Sequence, residues 1–229
     1  MHADKRALIV VTSHDQLADT GKRTGWYLSE VTHVYYPLIA AGFSVDFASP
    51  MGGEAPMDES SRKLDDPDNK RFVEDAALMT RMRETMALSS VDPGRYSVVH
   101  FAGGHGVMWD FPGHPEIQRV AAGIYDHGGI VAAVCHGPAA LVDVKLADGS
   151  YLVTNKAVSG FTNAEEDAAG LTDKVPFLLE TKLRERGADF QPGAMWSSQT
   201  AISERLITGQ NPQSAKAVGE LIVKAAASL

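Results

Sequence analysis

The chain contains one cysteine, and it stands in a context that could do chemistry: Cys135-His136-Gly137-Pro138, directly after the apolar run Ile130–Val134. Thiolates are strong nucleophiles, and imidazole titrates near neutral pH, so the two side by side suggest covalent catalysis with an acid–base partner. Most unpaired cysteines are simply small buried hydrophobes. Here, however, the cysteine falls where a buried strand turns sharply into a helix. Such a turn presents its side chain at the carboxyl edge of a sheet and aims a helix N-terminus at it, which favours the thiolate. Gly137 leaves room at the turn, and Pro138 suits a first helical turn, where its missing N–H costs nothing. The pattern is the cysteine form of a nucleophile elbow, with the backbone N–H of His136 as an oxyanion donor.

His136 is then the candidate general acid or base; the lesser alternative is a partly exposed turn histidine. A third group should orient it, and Glu165, Glu166 and Asp167 compete for that role after Gly160-Phe161-Thr162. Spacing does not choose among them. Glu30 and His33 share one face of an otherwise apolar helical segment at i, i+3. A carboxyl there is either a surface acid or one with a specific partner. Gly103-Gly104-His105-Gly106 follows another strand but lacks the G-x-G-x-x-G spacing and the later lysine of nucleotide loops. It reads as a close backbone approach that builds a cleft wall or an oxyanion donor. His33, His105 and His136 have no metal-ligand spacing, so no metal is expected.

Stepping outward, the elements that must hold these groups alternate between strand and helix. Strands are expected at Ala7–Thr12, Phe43–Ala48, Tyr96–Phe101 and Ile130–Val134, with a short hairpin over Ala201–Thr208. Helices are expected from Thr24, as cap, to Ala41, then over Phe72–Ala87, Pro115–His127, Lys174–Arg186 and Ala215–Ala227. Residues 50–69, rich in Gly, Pro and acids, read as a long functional loop or insertion. Alternation of this kind implies right-handed crossovers and a parallel sheet, and residues 1–229 read as a single domain.

A net charge of −8 argues against nucleic acid or an anionic membrane as partner. The N-terminal apolar run is too short for a signal segment and far short of the ~20 residues that span a bilayer. One cysteine permits no internal disulfide, so a cytoplasmic location is expected.

The segments TGWYLSEVTHVYYPL, AGFSVDFASPMGG, FAGGHGVMWDFP, GGIVAAVCHGPAAL, VSGFTNAEE and LITGQNPQSA resemble, in order, the ThiJ/PfpI superfamily, whose fold is that of class I glutamine amidotransferase domains. They are similar above all to its branch of heat-shock chaperones and glyoxalase III enzymes. The resemblance implies an α/β, flavodoxin-like three-layer sandwich with a mostly parallel central sheet, and a Cys135-His136-Glu166 triad. It also implies that Glu30 hydrogen-bonds the nucleophilic sulfur and shares protons with it. The activity implied is conversion of methylglyoxal, a small 2-oxoaldehyde, to lactate through a Cys135 hemithioacetal, without glutathione, metal or any other cofactor. Gly104 and His105 would serve the oxyanion or substrate, while Trp109, Phe161 and Trp196 would line the pocket. Relatives imply a homodimer. The lack of clustered Arg/Lys suits a small neutral carbonyl substrate. Rival readings on the same scaffold are deglycation of glycated protein, a cysteine peptidase or amidase, a stress-response holdase using the 50–69 segment with Met51 and Met57, and a redox sensor at Cys135. Glutamine amidotransfer fits less well, because its histidine lies far downstream of the cysteine.

Overall fold

The computed structural model describes residues 5–228; the first four residues of the N-terminal stretch read above, and residue 229, lie outside them. The unbroken apolar runs became central strands. β1 (Arg6–Val10) and β5 (Ile130–Val134) are buried along almost their whole length, as strands covered on both faces must be. Between them in sequence come α1 (Leu28–Ala40), β2 (Ser44–Ser49), α2 (Pro67–Glu74), α3 (Ala76–Arg83), β3 (Met86–Ala87), β4 (Val98–Phe101), α4 (Val107–Asp110) and α5 (Pro115–Asp126). After β5 follow β6 (Ala157–Val158), α6 (Asn163–Ala168), α7 (Leu179–Glu185), β7 (Asp189–Phe190), β8 (Thr200–Ser203), β9 (Leu206–Gly209) and α8 (Ala215–Ala226).

The main sheet runs β3-β2-β1-β4-β5-β9-β8, parallel except for the β8–β9 hairpin at its edge, and β6 pairs with β7 in a small second sheet. From the β1–β4 junction the order grows outward in both directions. Right-handed crossovers therefore place α1, which joins β1 to β2, and α5, which joins β4 to β5, on opposite faces of the sheet. α8 packs beside α1, completing the flavodoxin-like sandwich of helix, sheet and helix. That junction is also the switch point at which open α/β sheets gather ligands, and the elbow after β5 and the Gly103-Gly104 loop after β4 both end there.

Several sequence expectations are corrected. α1 begins at Leu28, not after a Thr24 cap, because the preceding residues are held extended. Trp26 donates its N–H to Pro56 O at 2.9 Å, and Tyr27 donates its own to Gly103 O at 3.1 Å. The helix expected over Phe72–Ala87 is two helices. Asp75 ends the first and caps the second, accepting from the N–H groups of Ala77 and Leu78. The 50–69 segment is structured: Asp58 caps a 3-10 turn over Glu59–Ser61, and Asp66 caps α2. The Lys174–Arg186 helix shortens to Leu179–Glu185. The element after Cys135 is a 3-10 helix, Gly137–Leu141, so no long helix dipole points at the sulfur.

Candidate active site

Cys135 occupies the left-handed region at φ +61°, where a side chain is strained unless its surroundings fix it. They do so from both sides. Its N–H donates to Gly209 O at 2.9 Å, and its carbonyl accepts from the Phe161 N–H at 2.8 Å. Gly103 is required beside it. A Cβ there would meet Glu30 Oε2 and Val134 O at 2.7 Å and His136 N at 2.8 Å. Cys135 is itself only 4% exposed.

Glu30 reaches this elbow from the first turn of α1 and is fully buried. Its Oε2 accepts the Gly103 N–H at 2.7 Å, Oε1 has no hydrogen-bond partner among the described residues, and the Cys135 thiol lies within interaction range of the carboxyl. Burial pushes the Glu30 carboxyl up to about 8, only partly offset by the Cys135 and Gly103 hydrogen bonds. Burial likewise raises the Cys135 thiol, and the Glu30 carboxylate raises it further. The backbone N–H groups of His136 and Gly104, both directed at the sulfur, oppose that rise. The thiolate is therefore not favoured in isolation, as the turn alone suggested. Near neutrality both groups therefore keep their protons, and only a protonated Glu30 lets the sulfur ionise without placing two anions in a buried site.

His136 presents Nδ1 to the sulfur at 3.5 Å and Nε2 to Glu166 Oε2 at 2.7 Å. Burial, reinforced by His105, lowers the His136 pKa, which keeps the ring neutral at physiological pH. Burial would push the Glu166 carboxyl up, but His136 and His105 outweigh it and hold it well below the usual range. The tertiary structure thus separates the three competing acids. Glu166 faces the imidazoles, and Asp167 is exposed. Glu165 completes a capping box with Thr162 and also accepts from the Trp196 N–H at 3.0 Å, Asn211 at 2.8 Å and Gln210 at 3.1 Å.

His105 does not aim at the sulfur. Its Nε2 stands 3.0 Å from Glu166 Oε1, and its ring lies 4.1 Å from that of His136. Phe161 covers His136 at 4.2 Å between ring centroids, and the half-exposed Trp196 stands edge-on to Phe161 at 5.7 Å. Trp109 instead stacks on His14 at 5.3 Å. His33 turns away from Glu30 to pair with Asp66 at 2.8 Å. Tyr27, missed in the sequence, also belongs here: burial first, then the charges of Glu30 and Cys135, push its phenol up to about 12. Its place just before Glu30 was the available signal. A cleft of about 660 Å³, lined by Arg23, Trp26, Met57, Asp58 and Leu171, opens onto His105.

Comparison with known proteins gives the chain's family and its structural neighbours. The pattern of the DJ-1/PfpI family matches residues 24–225. The chain is 34% identical to the glutathione-independent glyoxalase hsp3102 of Schizosaccharomyces pombe, over 96% of this chain and 97% of that one. Among solved structures it superimposes on the Rapid Encystment Protein 24 kDa of Francisella tularensis with a TM-score of 0.94 at 41% identity, covering 97% of this chain and 99% of that one. It superimposes on glyoxalase III of Candida albicans with a TM-score of 0.88 at 28% identity, covering 96% of each.

Proposed function

The chain belongs to the DJ-1/PfpI family, and on that premise we propose that it is a glutathione-independent glyoxalase of the glyoxalase III type, converting methylglyoxal to lactate with Cys135 as nucleophile. The observation that carries this reading is the buried pair of a protonated Glu30 and Cys135, with His136 Nδ1 3.5 Å from the sulfur.

In the reaction, the Cys135 proton passes to the neutral His136 at Nδ1 and the thiolate adds to the aldehyde carbon, C1. The oxyanion forms where the N–H groups of Gly104 and His136 converge, then takes the Glu30 proton to give a neutral hemithioacetal. His136 hands the thiol proton to the Glu30 carboxylate and, neutral again and oriented by Glu166, removes the proton from C1; the electron pair moves into an enediol, and the proton returns at C2. The result is the thioester of lactate on Cys135. Water attacks it, the sulfur leaves with a proton, and lactate departs. One water is consumed and no electrons are exchanged with a cofactor. Phe161 and Trp196 shield His136 on the far side, while His105 holds the second oxygen of Glu166.

The reading extends to the whole protein. Residues 1–229 form one domain that works in the cytoplasm as a homodimer, with a small carbonyl substrate as partner and neither nucleic acid nor membrane. The net charge of −8 supports the last point, as does the lack, among the described residues, of a helix long and apolar enough to cross a membrane.

The test is lactate formation from methylglyoxal without glutathione by the metal-stripped protein, beside Cys135→Ala and Glu30→Gln. Wild type forms lactate, Cys135→Ala forms none, and Glu30→Gln is slowed about a hundredfold, the range for loss of a general acid–base group. A wild-type protein that forms no lactate would sink the assignment.

A further inference from the structure

His105, His136 and Glu166 come together from three separate chain segments, and one ligand atom from each lies within 4.8 Å of the others. Both imidazoles turn Nε2 toward the same carboxylate, at 3.0 Å from Oε1 and 2.7 Å from Oε2. Around a tetrahedral zinc ion with bonds of ~2.0 Å, ligand atoms stand ~3.3 Å apart. A small contraction would therefore complete the set, and one member has the freedom to make it. The His105 side chain is 19% exposed, against 0% for His136 and 2% for Glu166.

His105 also lines the cleft, which gives an ion a way in and a water a place as fourth ligand. Phe161, against both rings, walls the opposite side. Two imidazole nitrogens and one carboxylate suit zinc, whereas magnesium and calcium ask for oxygen alone. We infer that His105, His136 and Glu166 form a zinc site whose occupation blocks the reaction centre.

Binding takes up the lone pair of each Nε2, so the single proton of each neutral ring moves from Nε2 to Nδ1. On His136 that proton faces the Cys135 sulfur, and the nitrogen that would accept the substrate proton is filled. The sulfur lies on the other edge of the ring and stays outside the ligand set. Zinc affinity is thus predicted to be independent of the nucleophile.

The inhibitory consequence rests on the proposed glyoxalase reading, but the site does not, so binding and turnover are measured separately. Zinc is titrated into the metal-stripped full-length protein in competition with a chromogenic chelator. Wild type and Cys135→Ser should each bind one equivalent, with His105→Ala and Glu166→Gln weaker by about tenfold or more. The site is overturned if wild type fails to compete, or if Cys135→Ser loses the ion while His105→Ala keeps it. In the lactate assay, turnover should fall in step with occupancy and return on adding EDTA. Full turnover at full occupancy overturns the block. Zinc bound at these residues in a protein that forms no lactate even when metal-free supports the site and removes the glyoxalase reading instead.

Discussion

Glu30 keeps its proton far above the ordinary carboxylate range because ionising it would put an uncompensated charge in a fully buried position beside a thiol. Two pH-dependent consequences belong to this residue. The folded state holds a proton that the unfolded chain releases near 4.5, so the Glu30 contribution to stability falls as pH rises from 4.5 to about 8 and is level above that. Asp110, raised to about 6, and His100, lowered to about 4, titrate in overlapping windows, so the clean measurement is a difference. The stability of Glu30→Gln relative to wild type should climb across pH 4.5–8 in urea titrations; a flat difference would mean that Glu30 is not buried and protonated. In turnover, wild-type kcat/KM should decline above pH about 8 as that proton leaves, and Glu30→Gln should lose this limb. The same burial bears on the redox-sensor reading, which needs a thiol of low pKa; burial raises this one.

Turns and caps, more than long helices, place the groups of the candidate site. The Gly103 turn after β4 lets Glu30 approach the elbow, so Gly103→Ala would drive a Cβ into the carboxylate and into the Val134 carbonyl. Its expected effect is a loss of lactate formation at least as large as that of Glu30→Gln, read in the same assay, with far-UV circular dichroism unchanged. The α6 cap works similarly. Glu165→Ala would strip the shared acceptor from the Trp196 N–H and from the buried Asn211 and Gln210 amides, leaving an N–H of each of the latter two unpaired at about 1–3 kcal/mol each before relaxation. A marked fall in Tm is expected. By contrast, Asp75 caps α3 on the exposed rim, and Asp75→Ala should cost about 1 kcal/mol of stability while leaving turnover intact. Full activity in Gly103→Ala, or lost activity in Asp75→Ala, would contradict this division between site turns and rim caps.

Across the molecule, the cleft of about 660 Å³ is within the range that holds drug-sized ligands, far roomier than methylglyoxal needs. Bulkier 2-oxoaldehydes should therefore be accepted, and phenylglyoxal should yield mandelate; its complete rejection would show that the cleft does not lead to the sulfur. Much of this organisation was legible in the amino-acid order. Five- and six-residue apolar runs marked the central strands, because a strand covered on both faces cannot alternate with polar residues. The Cys-His-Gly-Pro turn marked the elbow, because few residue types tolerate that geometry. Helix bounds were less legible: residues 24–27 and Asp75 have helical neighbours, but long-range hydrogen bonds and a cap competed with local propensity there. The sequence by itself determined an α/β scaffold with a cysteine at a strand end. Only the tertiary structure decided that Glu166 and not Glu165 meets the imidazoles, that His33 leaves and His105 joins, and that Glu30 is buried against the sulfur. Those choices depend on distances between segments remote in the chain, and local spacing carries no record of them.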